Sequence, residues 1–229
     1  MVRLGALFSG GKDSTFAIRE AAKAGHRVCC LMTVHPHSPE SPLLHHPGTH
    51  IARLQARSMD LPWYGREAAS AEESDESGAL DWLVGRAVAE HHIEGILHGG
   101  IRSGFQRRRF GDLCRRHSLE AVAPVWGRGA GYLRDIIGAG FRFVVVSVSA
   151  DGLDGSWLGR IVTEDDADRL DSLAASHGLA ADFEGGEAET LVVDCPLFEF
   201  GIVLCGSPAW DGYRGVLEIS GAAPLTKQT

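Results

Sequence analysis

The chain opens on an apolar run, Val2–Phe8, that has the length of one strand and stops at Ser9 and two glycines. Ser14–Ala24 then places apolar residues at helical spacing and ends at Gly25, a residue suited to the left-handed position after a helix. Arg27–Val34 reads as a second strand and gives way to a loop rich in Pro, Ser and His that runs to Gly48. The pattern predicts a helix over 49–59, with Ile51, Leu54 and Met59 on one side, and a short strand at Leu61–Tyr64. An acidic, small-residue stretch, Ala68–Ser77, leads to a helix from Ala79 to Glu90, where Leu80, Leu83, Val84 and Ala87 recur. A strand at Gly95–His98, a basic helix over 105–117 and a strand at Leu119–Ala123 complete this half. Strands alternating with helices imply a parallel α/β sheet with helices on both faces.

The second half reads differently. A short helix at Tyr132–Ile137 precedes a β-branched strand at Phe141–Val148. A helix over Asp165–His177 has Thr163 as its cap. Strands are expected at Leu191–Val193, at Gly201–Cys205 and over 215–219. The expected organisation is an α/β domain over residues 1–128 and a smaller α+β domain over 129–229.

Composition narrows the classes. The 229 residues are 44% hydrophobic and 23% charged, ordinary for a globular protein, and no apolar run reaches the ~20 residues of a membrane span. With no leader-like start, a cytoplasmic protein is expected. The net charge of −8 argues against broad nucleic-acid binding. Arg102 and Arg107–Arg109 form a local basic cluster, read as a solvated helix face. Five cysteines without Cys-x-x-Cys spacing fit reduced thiols, with Cys29 and Cys30 acting as small hydrophobes. The His35–His50 cluster lacks a helical ligand pair and reads as a surface or substrate-facing loop. Nothing fixes the oligomeric state; a homodimer is compatible with the chain.

The chemistry centres on Ser9-Gly10-Gly11-Lys12-Asp13-Ser14. Two glycines allow a tight turn and close approach of backbone N–H groups. The following helix aims its N-terminus at the same spot, where amides and macrodipole favour a phosphate. The spacing is not that of a Walker loop. It resembles the PP-loop of ATP pyrophosphatases, which cleave ATP between the α- and β-phosphates. Further along, Gly99-Gly100-Ile101-Arg102-Ser103-Gly104 follows a strand and precedes a helix, as a ligand-approaching loop or a plain turn would. Trp126 and Arg128 offer a stacking ring and a cation. Glu184, Glu187 and Glu189 crowd carboxylates into six residues. If a strand starts at Glu187, that residue and Glu189 share one face. Such a pair could hold Mg²⁺, orient an amine or bind a cationic substrate group; a solvated acidic turn is the alternative.

Taken in order, Ser9–Ser14, His45, Gly99 with Ser103 and Gln106, Arg109, Trp126 to Arg128, Gly152 to Arg160, and Glu184 to Glu189 resemble the diphthine–ammonia ligase family over about residues 1–200. Gly104 departs from the family, which commonly has an acidic residue there. The resemblance implies a HUP-type N-terminal sheet with a smaller C-terminal domain. It also implies a reaction: ATP and Mg²⁺ adenylate the carboxylate of diphthine on translation elongation factor 2, and ammonium supplies the amide nitrogen. On this reading Ser9, Gly10, Gly11, Lys12 and Ser14 hold the pyrophosphate, and Asp13 orients the loop or binds metal. Gly99 and Ser103 add to the ATP site. His45, Gln106, Arg109, Trp126, Arg128 and Glu184 face the acceptor. Glu187 and Glu189, on charge complementarity alone, join Lys12 and Asp13 as catalytic residues facing the trimethylammonium or the ammonia. Two alternatives stand beside it: an adenylating enzyme acting on another small carboxylate, and a non-catalytic nucleotide-binding module.

Overall fold

The computed structural model describes residues 1–37, 49–70 and 72–227. They fall into two compact units, Met1–Gly127 and Arg128–Thr229. In the first, β1 (Arg3–Leu7), β2 (Arg27–His35), β3 (Trp63–Glu67), β4 (Gly95–Leu97) and β5 (Glu120–Val122) form a parallel sheet in the order β3-β2-β1-β4-β5. Helices α1 (Lys12–Lys23), α2 (Ala52–Ser58), α3 (Glu73–His91) and α4 (Gly104–Arg116) make the crossovers. Sequence order reverses about β1, which makes the C-terminal ends of β1 and β4 the switch point where such sheets usually bind ligands.

The central strands are buried on both sides, which is why Leu4, Ala6, Leu31, Met32, Ile96 and Leu97 read as near-continuous apolar runs. Met32 and Val34 pack with Leu83 and Val84 of α3 and Phe110 and Leu113 of α4. Cys29 and Cys30 join this core as free thiols, and burial pushes the Cys30 thiol up to about 12. No helix among the described residues is long and apolar enough to cross a membrane.

Several boundaries differ from the expectation. Helix α1 starts at Lys12 rather than Ser14 because extended Gly11 is its N-cap, which puts Lys12 and Asp13 in the first turn. Helix α3 starts at Glu73 rather than Ala79: Glu73, Asp75 and Glu76 complement the positive end of the helix, so the acidic stretch is its first turn. Strand β3 lies at Trp63–Glu67, two residues beyond the expected start, in register with Leu31–His35. The buried face of α2 is Ala52, Gln55, Ala56 and Ser58, not the Leu54 side.

In the second unit, β6 (Arg142–Val148), β7 (Ala188–Asp194), β8 (Gly201–Trp210) and β9 (Gly215–Leu225) form an antiparallel sheet in the order β7-β6-β9-β8. Helices α5 (Tyr132–Gly138) and α6 (Glu164–His177) complete it. Thr163 caps α6 in a reciprocal box: its Oγ1 accepts from Asp166 N at 3.3 Å, and Asp166 Oδ2 accepts from Thr163 N at 3.0 Å. Strands β8 and β9 run far past the expected ends because they pair with each other along their whole length. Asp211 closes their hairpin, its Oδ1 accepting from Tyr213 N at 2.8 Å and Arg214 N at 2.6 Å.

Candidate active site

The loop leaving β1 is held from its first residue. Phe8 N donates to Met32 O at 2.8 Å, and Phe8 O accepts from Thr33 Oγ1 at 2.8 Å. Trp63 Nε1 in turn donates to Thr33 Oγ1 at 2.9 Å. Gly10 then takes φ +81°, a left-handed conformation natural to glycine. Its carbonyl accepts from Gln55 Nε2 at 2.9 Å. Ser9 Oγ lies 3.1 Å from Ser14 Oγ and accepts from Gly11 N at 3.3 Å. Gly11 O receives the Thr15 hydroxyl at 2.8 Å and the Ser14 hydroxyl at 3.2 Å.

The start of α1 carries no side-chain cap. Helix N-termini hold backbone N–H groups without intrahelical partners, and here they sit at the end of the central strand, an arrangement that suits an anion. Lys12 extends in the same turn, its side chain 3% exposed, with Nζ 2.9 Å from Asp13 Oδ2. Asp13 Oδ1 is buried and has no hydrogen-bond partner among the described residues. The N-terminus of α1, a cation and a buried carboxylate oxygen without a hydrogen-bond partner among the described residues thus lie within three consecutive residues.

Gly99 follows β4 directly. A Cβ on it would lie 2.6 Å from Asp13 C and 2.6 Å from Ser14 N. What comes close to Gly99 is therefore the backbone of the loop itself. His98, just before it, is 3% exposed, packs its ring at a tilt against Phe110 with centroids 5.0 Å apart, and accepts Gly100 N–H on Nδ1 at 3.2 Å. Burial first, then the nearby Arg107 charge, lowers its pKa from 6.5 to about 4. The neutral ring holds its proton on Nε2. Because the unfolded chain takes up a proton near pH 6.5 and the folded one does not, stability is complete above pH 6.5 and falls as pH drops to about 4. The loss amounts to about 3 kcal/mol. Denaturant titrations at pH 7 and pH 4.5 measure it; His98→Asn should flatten the fall, and an unchanged pH slope would assign it to other groups.

Ser103 is the N-cap of α4, its Oγ accepting from Gln106 N at 3.3 Å, so both residues open the helix after β4. Gly127 N donates to Ile101 O at 2.9 Å and ties the Trp126 turn to the same loop. The Trp126 ring carries the Arg107 guanidinium at 4.8 Å. Arg109 reaches elsewhere: it donates to Ser77 Oγ at 2.7 Å and pairs with Glu73 at 2.5 Å, both on α3. Arg116 likewise pairs with Asp81 at 3.0 Å. The basic helix is thus partly stacked and ion-paired, not simply solvated. His45 lies outside the described residues.

The remaining candidates belong to the second unit. Arg128 pairs with Asp135 at 3.2 Å. Glu184 and Glu187 bracket a tight turn in which Gly186 takes φ +83°. Glu187 Oε1 accepts from Ala180 N at 2.7 Å and sits where a Cβ on Gly185 would be. Its Oε2 is buried without a hydrogen-bond partner among the described residues. Strand β7 begins at Ala188, one residue after Glu187, and Glu189 lies opposite Ser147 of β6.

Gln55, Thr15 and Thr33 carry no motif that marks them in the sequence, and Arg107 stands there only as part of the basic cluster. One signal was available for Gln55: it is a long amide on the inward face of its helix, among the small residues Ala52, Ala56 and Ser58, where a buried amide needs a partner.

Comparison with known proteins agrees on one family. Residues 2–121 match the diphthamide synthase N-terminal domain, and residues 129–225 match the diphthamide synthase C-terminal domain. The chain is 32% identical to the diphthine–ammonia ligase of Mus musculus over 227 residues, covering 91% of this chain and 85% of that protein. It is 33% identical to the diphthine–ammonia ligase of Schizosaccharomyces pombe over 214 residues, 86% of this chain but 35% of that longer protein. A solved structure from Methanocaldococcus jannaschii, described as a predicted subunit of tRNA methyltransferase, aligns with 86% of this chain and 98% of its own at 14% identity and a TM-score of 0.42. With a domain match on each unit and such relatives over nine-tenths of its length, the chain belongs to the diphthamide synthase family.

Proposed function

We propose that this protein is an ATP-dependent, AMP-forming ligase that converts the diphthine carboxylate of translation elongation factor 2 into the diphthamide amide. The observation that carries the reading within the molecule is the uncapped start of α1, with Lys12 and Asp13 in its first turn at the end of β1. The acceptor carboxylate attacks the α-phosphorus, the α–β bond breaks, and pyrophosphate leaves with the bond electrons. Ammonia then adds to the acyl carbon, AMP departs, and the amide sheds a proton.

Negative charge grows on the leaving pyrophosphate, so preorganised amides of the Ser9–Ser14 loop and the Lys12 ammonium stabilise the transition state more than the ground state. Asp13 Oδ1, buried and unpartnered, fits a divalent cation or its water, and Mg²⁺ held there would neutralise phosphate charge. Gly99 and Ser103 belong to the adjacent loop of the ATP site. Gln106, Trp126 and Arg128, with His45, are assigned to the acceptor; Arg109, held by Ser77 and Glu73 on α3, is left out of it. Glu187 and Glu189, with Glu184, would attract its trimethylammonium or guide ammonia.

The test is direct. Protein, ATP, Mg²⁺ and ammonium are incubated with diphthine-bearing elongation factor 2. The expected result is AMP and pyrophosphate in step with acceptor, which becomes lighter by about one mass unit as OH gives way to NH₂. AMP release with an unmodified acceptor would move the assignment to another carboxylate. Nucleotide binding without turnover would leave a binding module.

A further inference from the structure

We infer that Gln55 is a positioning residue of the pyrophosphate loop, acting as the lock on the Gly10–Gly11 peptide. The inference rests on the reading of Ser9–Ser14 as the pyrophosphate site. Gln55 stands on α2, in the crossover from β2 to β3, and is fully buried. Its amide reaches the loop and nothing in the sequence near the loop announces it.

The geometry defines the role. The peptide between Gly10 and Gly11 is planar, so its C=O and N–H point in opposite directions. Gly10 O accepts from Gln55 Nε2 at 2.9 Å. A carbonyl can only accept, which fixes the NH₂ end of the side chain toward it. With the carbonyl held on one side, Gly11 N–H is turned to the other, where it meets Ser9 Oγ at 3.3 Å. That is long for an N–H···O bond, so the hydrogen can pass to a stronger, anionic acceptor at little cost.

A peptide flanked by two glycines is the easiest kind to rotate, because no Cβ opposes the change in φ and ψ. Rotated by half a turn, it would offer its carbonyl oxygen to the phosphate in place of an N–H. Gln55 prevents this. The fit is mutual: a Cβ on Gly10 would lie 2.2 Å from Gln55 Oε1, so the amide occupies the space that glycine leaves open. Preorganising donors before the ligand arrives is how such loops contribute most.

Gln55→Met keeps the length and removes the donor; Gln55→Glu keeps the shape and puts an acceptor where the donor was. Binding of inorganic pyrophosphate with Mg²⁺ and of AMP is measured by calorimetry for both, beside Lys12→Met and thermal melts. Both Gln55 variants are expected to lose pyrophosphate affinity by about tenfold or more while AMP affinity stays within about twofold. In turnover the loss should fall on kcat as well as on KM for ATP, because the leaving group is the misplaced part. Loss with Lys12→Met but not with either Gln55 variant would overturn the lock and leave the loop assignment standing. No loss with any of the three would remove the loop assignment, and the lock with it. Equal loss of AMP and pyrophosphate, with both Gln55 variants melting well below the parent, would make Gln55 a support of the fold and likewise overturn the inference.

Discussion

Replacing Lys12 by methionine should lower AMP-forming turnover by about 10³-fold or more and leave the molecule folded. Lys12 is 2% exposed in the first turn of α1. Its ammonium is the only side-chain cation within the Ser9–Ser14 segment. Removing one uncharged oxyanion donor commonly costs about 10²–10³ in kcat, and an ammonium facing a departing pyrophosphate does more work than an uncharged donor. Methionine preserves most of the buried stem, so packing survives. The carboxylate of Asp13, 2.9 Å from Nζ, loses its partner. It is only partly buried, so the penalty for leaving it alone is moderate. Release of labelled pyrophosphate and a thermal melt distinguish the outcomes. Turnover near the parent value takes Lys12 out of the mechanism; a collapsed melt makes it structural.

The second large effect is at Gly99. Gly99→Ala would set a methyl group 2.6 Å from Asp13 C and Ser14 N. Both obstacles are backbone, so no flexible side chain can turn away. Overpacking of this kind costs about 3 kcal/mol. The larger loss is functional, because the atoms forced to move carry the amides of the proposed phosphate site, and a displacement of about 1 Å there can cost about 100-fold in turnover. Gly104→Ala is the control: a Cβ there meets Arg108 Nη1 at an ordinary 3.6 Å, in a helix that favours alanine over glycine. Loss of ATP turnover with Gly99→Ala and not with Gly104→Ala is expected. Comparable activity in both would show that the β1 and β4 loops can separate without penalty.

The sequence was most informative where signals are local. Strand, glycine pair, lysine, serine and amphipathic helix lie within one short stretch, so β1, the turn after it and α1 could be read together. The parallel sheet followed from the alternation of periods. What could not be read was the wiring between distant segments. Gly99 suggested ligand approach, yet its missing Cβ makes room for Asp13 and Ser14. Gln55 carried no motif, and its partner, the carbonyl of Gly10, is a backbone atom with no signature of its own. Arg109 stood in a run of arginines that looked solvated, and its ion pair lies on a different helix.

The antiparallel unit misled for another reason. Pro208, Gly206, Gly221 and Pro224, residue types that weaken strands, all lie beyond the expected ends of β8 and β9. They lie instead in a two-stranded ribbon, where Pro208 faces Leu217 and Pro224 faces Ile202. Most of β9 pairs with β8 alone, since β6 reaches only Gly215 and Val216. Proline is tolerated on an edge that needs no N–H.

The Ser9–Ser14 loop is completed by residues that a ribosome delivers much later. Its carbonyl lock arrives with α2, and the turn that presses on Asp13 and Ser14 arrives only after β4. A nascent chain that ends before Gly99 has the whole Ser9–Ser14 motif in hand and lacks the neighbours that shape it. Nucleotide would therefore select chains in which the central strands have already paired. Its binding energy would add to the stability of the native state and do little to start folding.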